Sequence, residues 1–579
     1  MRILLDRRCS IYNKLGYFSD ISLRFGNLIF YGFPIVEIAG ESASQFEVLS
    51  HFPEILLVSV ALFAWACSPI GIYYGSARSW HRYIIGLMLL SVVSGIALLV
   101  TAIYFYNTEQ GTLYVWYDSL ISDYFVMFFK IVLLVIGAAI LLFIILSFNG
   151  NNSQYWVFIL VFTALPGFTL LVSVNDFLSL FVVVEFVSLV AYILPVLGNE
   201  NKKSGTLASA KYYVLGAIAS ALLLTGVIVL STENASFNFD EIQLNWTLGL
   251  FSSLQFCGLI IILCAFSIKI AVFPAYAWVF DVYSGASYSI LLVFGILSKL
   301  GIVGLFIRLY LMLWPWLYQH YSVPLCYLSI ATIIGGILGA FYSFVKNKVK
   351  AFIGYTGINQ IGYIFIGLCL VDSFDVVNAS IYYLVLYSIA NLVFIGSLAY
   401  LSSKGYEVTR FDQISLAYFK NRDIGHKYFI VLIGLSVWSI AGLPPFGNFF
   451  AKISLWSSML YLLGDCFYLN DTNQYLLFNP QFFIDLYSVQ PSIHNVVIGL
   501  IITSLSTSII SLYYYFGIVG FIISPHSIEV EGGSPNLENN SWYGTVWLFV
   551  VIIFILVLCV WGFAVGDPLL VPEFFVRVI

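Results

Sequence analysis

Charge is what this chain most lacks: of 579 residues, 9% are Asp, Glu, Lys or Arg, where soluble domains carry roughly 25%. With 61% hydrophobic residues and a mean hydropathy of +0.96, that shortage excludes a soluble domain and implies a polytopic membrane protein. A net charge of −5 and the absence of a long basic tract exclude a nucleic-acid partner. Metal ligands are thin as well. The 8 cysteines (Cys9, Cys67, Cys257, Cys264, Cys326, Cys369, Cys466 and Cys559) include no C-x-x-C pair, and the 6 histidines lack ligand spacing. Neither a zinc site nor an iron–sulfur site is indicated, so no cofactor is expected in this chain and any electron transfer belongs to another polypeptide. The basic start has no apolar h-region and therefore no signal-peptide pattern. Met (5) is scarce while Phe (51) and Tyr (40) abound. Aromatic belts at membrane interfaces are too small a source for 18% aromatics, which points to an AT-rich coding genome such as an organellar one.

What is present is a series of about fourteen apolar runs long enough to span a bilayer. They lie near 54–74, 82–106, 125–148, 155–174, 176–197, 208–231, 250–280, 288–312, 323–344, 350–371, 376–401, 427–463, 495–523 and 543–566. Two are too long for one straight crossing. One holds Pro274; the other holds Gly442-Leu443-Pro444-Pro445-Phe446-Gly447. Proline removes a backbone donor and clashes with the preceding turn, so both helices should be broken. Broken helices at corresponding places in two halves point to an ion site in inverted-repeat transporters. The expected fold is an all-α polytopic membrane protein with two inverted five-helix repeats, each with a broken fourth helix. The expected organisation is an N-terminal extension (1–50), three helices (51–150), the first repeat (151–312), the second repeat (313–523, with a polar insertion at 464–494) and a last helix with its tail (524–579).

Loop charges orient the chain. Loops after odd-numbered spans carry Lys202, Lys203, Lys346, Lys348, Lys350, Lys404, Arg410, Lys420 and Arg422, and mark the inner side. Loops after even-numbered spans carry Glu109, Asp118, Glu233, Asp240, Asp372, Asp375, Asp471 and Asp485, and mark the outer side. The basic N-terminal 50 residues run against this pattern, and a membrane-embedded segment around 27–38 would resolve it.

Against this apolar background a few charges stand out. Lys269, Lys299 and Lys452 sit deep inside spans, as does Glu185. An ammonium near a bilayer centre costs about 2.5–3.5 kcal/mol on insertion scales. A buried lysine also gives up its proton more readily than one in water, which suits a proton relay. Lys211, early in the next helix, is the expected partner of Glu185, either as a switch or as a static pair joining two helices. Lys269 and Lys452 lie beside the helix breaks, where freed backbone groups and water can solvate a proton, and Lys299 would connect the two half-sites. Snorkelling to the interface accounts for Lys130 and Arg308, near span ends. Tyr355, Thr356, Asn359, Gln360, Asn391, Thr503 and Ser504 would hold a water wire or, equally, glue helices together. Asp281, at a membrane edge, would help gate access or simply be an exposed acid.

Several of these stretches resemble the antiporter-like membrane subunits of respiratory complex I. They are Ser173-Val174-Asn175-Asp176 through Glu185 to Leu194; Ala210-Lys211-Tyr212-Tyr213; Lys269 to Pro274 with Trp278 and Asp281-Val282-Tyr283-Ser284-Gly285-Ala286; Lys350-Ala351-Phe352 to Tyr363; and Ser439 through Pro444-Pro445-Phe446-Gly447 to Lys452. They cover about residues 155–460 in family order and spacing. A lysine at 452 is similar to the subunit-2 branch, which includes bacterial subunit N. The resemblance implies a switch pair Glu185–Lys211 and a relay Lys269–Lys299–Lys452. It also implies a place in the membrane arm of a proton-pumping NADH:ubiquinone oxidoreductase; with the aromatic-rich, organellar composition the expected location is the mitochondrial inner membrane, a plastid or bacterial membrane being the alternative. FMN, iron–sulfur clusters and ubiquinone would be bound by other subunits; the partners would be neighbouring membrane-arm subunits, accessory subunits and lipids. Gln360 departs from the pattern, standing where several relatives have His, and residues 1–50 and 464–494 have no counterpart. A subunit of a multi-subunit sodium/proton antiporter is the alternative. An inert spacer is disfavoured, because leucines in place of the buried charges would be more stable.

Overall fold

In the computed structural model the chain is described over residues 51–65, 77–106, 113–146, 152–198, 202–234, 236–247, 252–312, 314–370, 374–404, 408–414, 424–444, 446–468 and 491–523. The apolar runs become helices: α1 (His51–Trp65), α2 (Ala77–Tyr106), α3 (Tyr124–Leu146), α4 (Asn152–Ser173), α5 (Phe177–Leu197) and α6 (Lys202–Asn234). After a short α7 (Phe239–Thr247) come α8 (Ser253–Ile270), α9 (Ala277–Gly285), α10 (Tyr288–Leu292) and α11 (Ser298–Met312). The second half contains α12 (Trp314–Val345), α13 (Val349–Cys369), α14 (Phe374–Ser403), α15 (Ile424–Ala441), α16 (Gly447–Tyr468) and α17 (Pro491–Ile523). These occupy thirteen of the fourteen expected spans. The span at 543–566, the segment at 27–38, most of the insertion at 464–494 and Pro445 lie outside the described residues.

Caps explain several starts. Asp123 Oδ1 accepts from Val126 N–H at 2.7 Å to open α3, and Asp176 accepts from Ser179 N–H to open α5. Ser252 and Gln255 form a reciprocal capping box at α8. Between these starts, runs of Leu, Ile, Val and Phe let the helix satisfy its own backbone, which a bilayer requires.

Burial divides the helices into a centre and a periphery. In the spans Gln154–Ser173 and Asp375–Ser403, 89% of the most apolar 18-residue stretch is buried, and in Tyr288–Leu309, 83%. By contrast, in Phe177–Leu197, Lys203–Thr232, Ser253–Ile270, Leu325–Val345 and Val496–Ile522 the same share is 39%. The outward faces of the second group are apolar: Leu178, Val182, Phe186, Leu189 and Ile193 line that of α5. Such a surface belongs in lipid or against another membrane subunit.

Two elements escape hydropathy reading. Strands β1 (Leu113–Val115) and β2 (Leu120–Ser122) form an antiparallel hairpin whose turn runs through Trp116, Tyr117 and Asp118, all at positive φ. The hairpin is tied to the α4–α5 connection, since Asn175 N–H donates to Ser119 C=O at 2.8 Å and Asn175 Nδ2 to Asp118 C=O at 3.2 Å. Asn175 Nδ2 also reaches Asp240 Oδ2 at 2.9 Å, which brings α7 onto the same end of the bundle.

Candidate functional site

Both expected helix breaks are present, and both are built alike. Helix α8 ends on Ala271 in the left-handed region (φ 64°), and α15 ends on Gly442 (φ 78°). At each, paired backbone bonds close the helix: Ala271 N–H to Ile268 C=O with Val272 N–H to Ser267 C=O, and Gly442 N–H to Ser439 C=O with Leu443 N–H to Trp438 C=O. This is the Schellman arrangement, which satisfies carbonyls that the helix would otherwise orphan. A side chain from the far half then bonds a terminal carbonyl, at the first break one that already accepts a backbone N–H and at the second a further one. Trp278 Nε1 donates to Ile268 C=O at 3.0 Å, and Lys452 Nζ donates to Ala441 C=O at 3.0 Å. Pro274 and Pro444 lie inside the non-helical links, as expected.

At the first break the pairing differs from expectation. Glu185 Oε1 lies 3.7 Å from Lys269 Nζ, not beside Lys211. Lys269 also donates to Ser188 Oγ at 3.0 Å. Lys211 Nζ binds Asp281 Oδ2 at 2.6 Å on the bundle surface, where both side chains are about two-fifths exposed. The expected Glu185–Lys211 pair is thus not formed in this structure, where Asp281, on α9, holds Lys211 instead. The reason is geometric: residue 211 faces outward from α6, and the break swings α9 across that face. Glu185 itself is only partly buried.

Lys269 joins two small cavities. One is shared with Ser188, Tyr192 and Tyr212; the other with Lys299, Tyr283 and Gly354. Lys299 follows a π turn, Val293–Leu297, where Ser298 N–H reaches back to Val293 C=O. Such turns re-aim the side chains that follow. Gly357 makes room for Lys299: a Cβ there would collide with its Nζ.

From Lys299 towards Lys452 run three tyrosines, none of them among the expected relay residues. Lys299 Nζ sits 5.8 Å from the Tyr387 ring, Tyr387 stacks on Tyr383 at 6.5 Å, Tyr383 lies 5.9 Å from Tyr363, and Lys452 Nζ is 5.6 Å from the Tyr363 ring. Tyr383 and Tyr387 are one turn apart on α14, a spacing recognisable only once its buried face is known. Gln360 accepts from the Tyr383 hydroxyl, and Tyr363 OH meets Thr507 Oγ1 at 2.9 Å. Asn359 is fully buried with neither amide atom hydrogen-bonded, and Asn391 stands one turn beyond Tyr387. Tyr355 is set apart, packing near Tyr276 and Phe280. Ser504 serves as glue, accepting from Trp456 Nε1 at 3.1 Å.

Snorkelling does not describe Lys130 or Arg308. Both are buried, at 1% and 3% exposure. Lys130 Nζ pairs with Glu54 Oε1 at 2.8 Å and contacts His51 Nδ1 at 3.2 Å. Arg308 Nη1 pairs with Asp123 Oδ2 at 3.1 Å. These acids come from α1 and from the hairpin edge, so no spacing within one helix could reveal the pairs. Among the described residues, no three His, Cys, Asp or Glu side chains converge to hold a metal ion.

Residues 174–467, just over half of the chain, match the family model described as NADH:quinone oxidoreductase/Mrp antiporter, TM. NADH-quinone oxidoreductase subunit N of Azoarcus sp. (strain BH72) is 28% identical over 315 residues, 53% of this chain and 62% of its own length. Subunit N 1 of Rhizobium meliloti is 26% identical over 404 residues, 69% of this chain and 79% of its own. The fold is shared with a chain of Thermus thermophilus respiratory complex I (TM-score 0.63, 19% identity, 90% of this chain and 98% of that one). It is shared equally with a chain of the Mrp complex of Dietzia sp. DQ12-45-1b (TM-score 0.68, 18% identity, 92% and 97%).

Proposed function

The chain belongs to the NADH:quinone oxidoreductase/Mrp antiporter transmembrane family, and from that premise we propose that it is the proton-translocating, subunit-N-type membrane subunit of an NADH:quinone oxidoreductase. Redox chemistry elsewhere in the complex drives protons through this chain, which holds no redox centre of its own. FMN, iron–sulfur clusters and ubiquinone are assigned to other subunits. The partners are neighbouring membrane-arm subunits, accessory subunits and lipids, and the aromatic-rich composition supports a mitochondrial inner membrane. The two repeats, 151–312 and 313–523, each contribute one broken helix to the path.

The observation that carries this reading is the position of Lys269. It touches Glu185 on one side and shares a cavity with Lys299 on the other. A proton held by the Glu185–Lys269 pair can pass to Lys299, and the charge left behind biases the next transfer. Tyr387, Tyr383 and Tyr363 continue from Lys299 to Lys452. Lys211 acts as the second partner of this switch and is held by Asp281 in the present conformation.

The test is to isolate the particle from gently solubilised membranes and assay inhibitor-sensitive NADH:quinone reductase, then proton ejection after reconstitution. Flavin and iron–sulfur signals with coupled pumping support the reading. A small particle without redox centres that exchanges sodium for protons supports the second one, a subunit of a multi-subunit antiporter, which the fold match to the Mrp complex favours.

A further inference from the structure

The cluster around Lys130 lies outside the path just described, yet it is built from groups that carry protons. Five polar atoms on four residues stand in sequence: Glu54 Oε1 to Lys130 Nζ at 2.8 Å, Lys130 Nζ to His51 Nδ1 at 3.2 Å, and His51 Nε2 to Ser122 Oγ at 3.0 Å. All four residues are buried, none more than 3% exposed. Arg308 and Asp123 lie close enough to Lys130 to act on its charge. Counting His51 as neutral, the cluster holds two cations (Lys130, Arg308) and two anions (Glu54, Asp123).

Two facts favour a working site over a static staple. At 3.2 Å, Lys130 Nζ and His51 Nδ1 cannot both direct a proton at each other; one must donate and the other accept. A single hydrogen bond joins the pair, donated by the Lys130 ammonium to a bare Nδ1 or by His51 Nδ1–H to a neutral Lys130 amine. Arg308 Nε and Nη2 are buried without hydrogen-bond partners, which a structure built only for stability would avoid. The elements meeting here are the first turn of α1, the hairpin, the first turns of α3 and the last turns of α11. All belong to the end of the bundle that the loop charges mark as outer.

We propose that His51, Lys130 and Glu54 form a second proton-carrying site, which exchanges protons with the outer side. In each transfer Glu54, having taken up a proton, gives it to Lys130 as Lys130 Nζ gives one to His51 Nδ1; His51 gives its Nε2 proton to Ser122 Oγ, Ser122 passes its hydroxyl proton towards the outer side, and the imidazole returns to the Nε2–H tautomer before the next transfer. In this conformation Arg308, which borders the site, is nine residues from Lys299 on the same helix, or about 14 Å at the helical rise of 1.5 Å per residue. Leu300, Val303 and Ile307, between them, are buried and apolar. The site therefore acts at the release end, with Arg308 linking its charge to the helix of Lys299.

The proposal rests on the chain moving protons, not on the identity of the redox partner. The probe is the intact complex in liposomes with His51→Gln, which keeps the charge balance and a hydrogen-bonding side chain but cannot take up a proton. The expected results are fewer protons ejected per NADH oxidised and a flattened dependence of that ratio on outer pH. Ser122→Ala should give a weaker form of the same change. An assembled His51→Gln complex with the wild-type ratio and pH profile would overturn the proposal. So would failure of both variants to assemble, which would make the cluster a staple. If the wild-type particle lacks NADH activity and exchanges cations instead, only the redox reading fails, and the variants are scored on proton flux.

Discussion

Replacing Gly442 by alanine tests the second break at its most constrained point. Its φ of 78° lies in the left-handed region, which costs an L-residue roughly 1–2 kcal/mol. A Cβ there would lie 3.0 Å from Lys452 Cδ and 3.1 Å from its Nζ. The lysine must then retreat by a few tenths of an ångström, stretching its 3.0 Å bond to Ala441 C=O. A hydrogen bond to a charged group contributes about 1.5–3 kcal/mol. Relaxation of the flexible side chain recovers part of this, so a combined effect of about 2 kcal/mol is expected. If the position of Lys452 governs proton transfer, that corresponds to a slowing of roughly tenfold to thirtyfold, at 1.36 kcal/mol per decade. The assay is protons ejected per NADH oxidised in reconstituted complex, with subunit content checked by native gel. Gly442→Asn, which tolerates the left-handed conformation better, separates crowding from backbone strain. An assembled Gly442→Ala complex with wild-type pumping would refute the claim that this lysine works from the broken helix.

Glu185→Gln removes the acid paired with Lys269 among the described residues; coupled proton ejection should fall sharply while the subunit stays in its complex, as a pumping assay beside a native gel would read. Asp281→Asn frees Lys211; it should shift Lys211 towards Glu185, seen as raised disulfide cross-linking between cysteines introduced on α5 and α6, and unchanged cross-linking would sink the exchange idea. Glu54→Ala leaves Lys130 buried without its acid, a change that typically costs about 3–5 kcal/mol, so the subunit should be depleted from assembled complex; Glu54→Leu with Lys130→Met should recover assembly. Tyr383→Phe deletes one hydroxyl and keeps the ring, so pumping should drop with stability little changed; wild-type pumping would exclude this hydroxyl from the route between Lys299 and Lys452.

The helices and their breaks were readable because a bilayer imposes one rule everywhere: backbone groups must be satisfied within the segment. Proline and glycine mark where that rule is locally suspended, and Pro274 and Pro444 did so correctly. Lys269, Lys299 and Lys452 were readable because a charge in an apolar run has no inexpensive explanation. Lys130 and Arg308 were misread for the complementary reason. Position near a span end predicts snorkelling only if nothing covers that end, and here α1 and the hairpin do. The hairpin went unseen because strands of three residues carry no periodic signal. Tyr363, Tyr383 and Tyr387 were lost among 40 tyrosines, since only packing decides which ring faces a lysine.

By itself, the sequence determined the membrane setting, the helical spans, the two interrupted helices and the identity of the charges inside them. Each of these depends on local chemistry: hydropathy over one span, a missing backbone donor, an ammonium among leucines. Tertiary structure alone decided the partners. It gave Glu185 to Lys269, Lys211 to Asp281 and Lys130 to Glu54, pairs 84, 70 and 76 residues apart in the chain. Ion pairing depends on distances of a few ångströms between groups on different helices, and helix rotation and crossing set those distances only when the whole bundle packs.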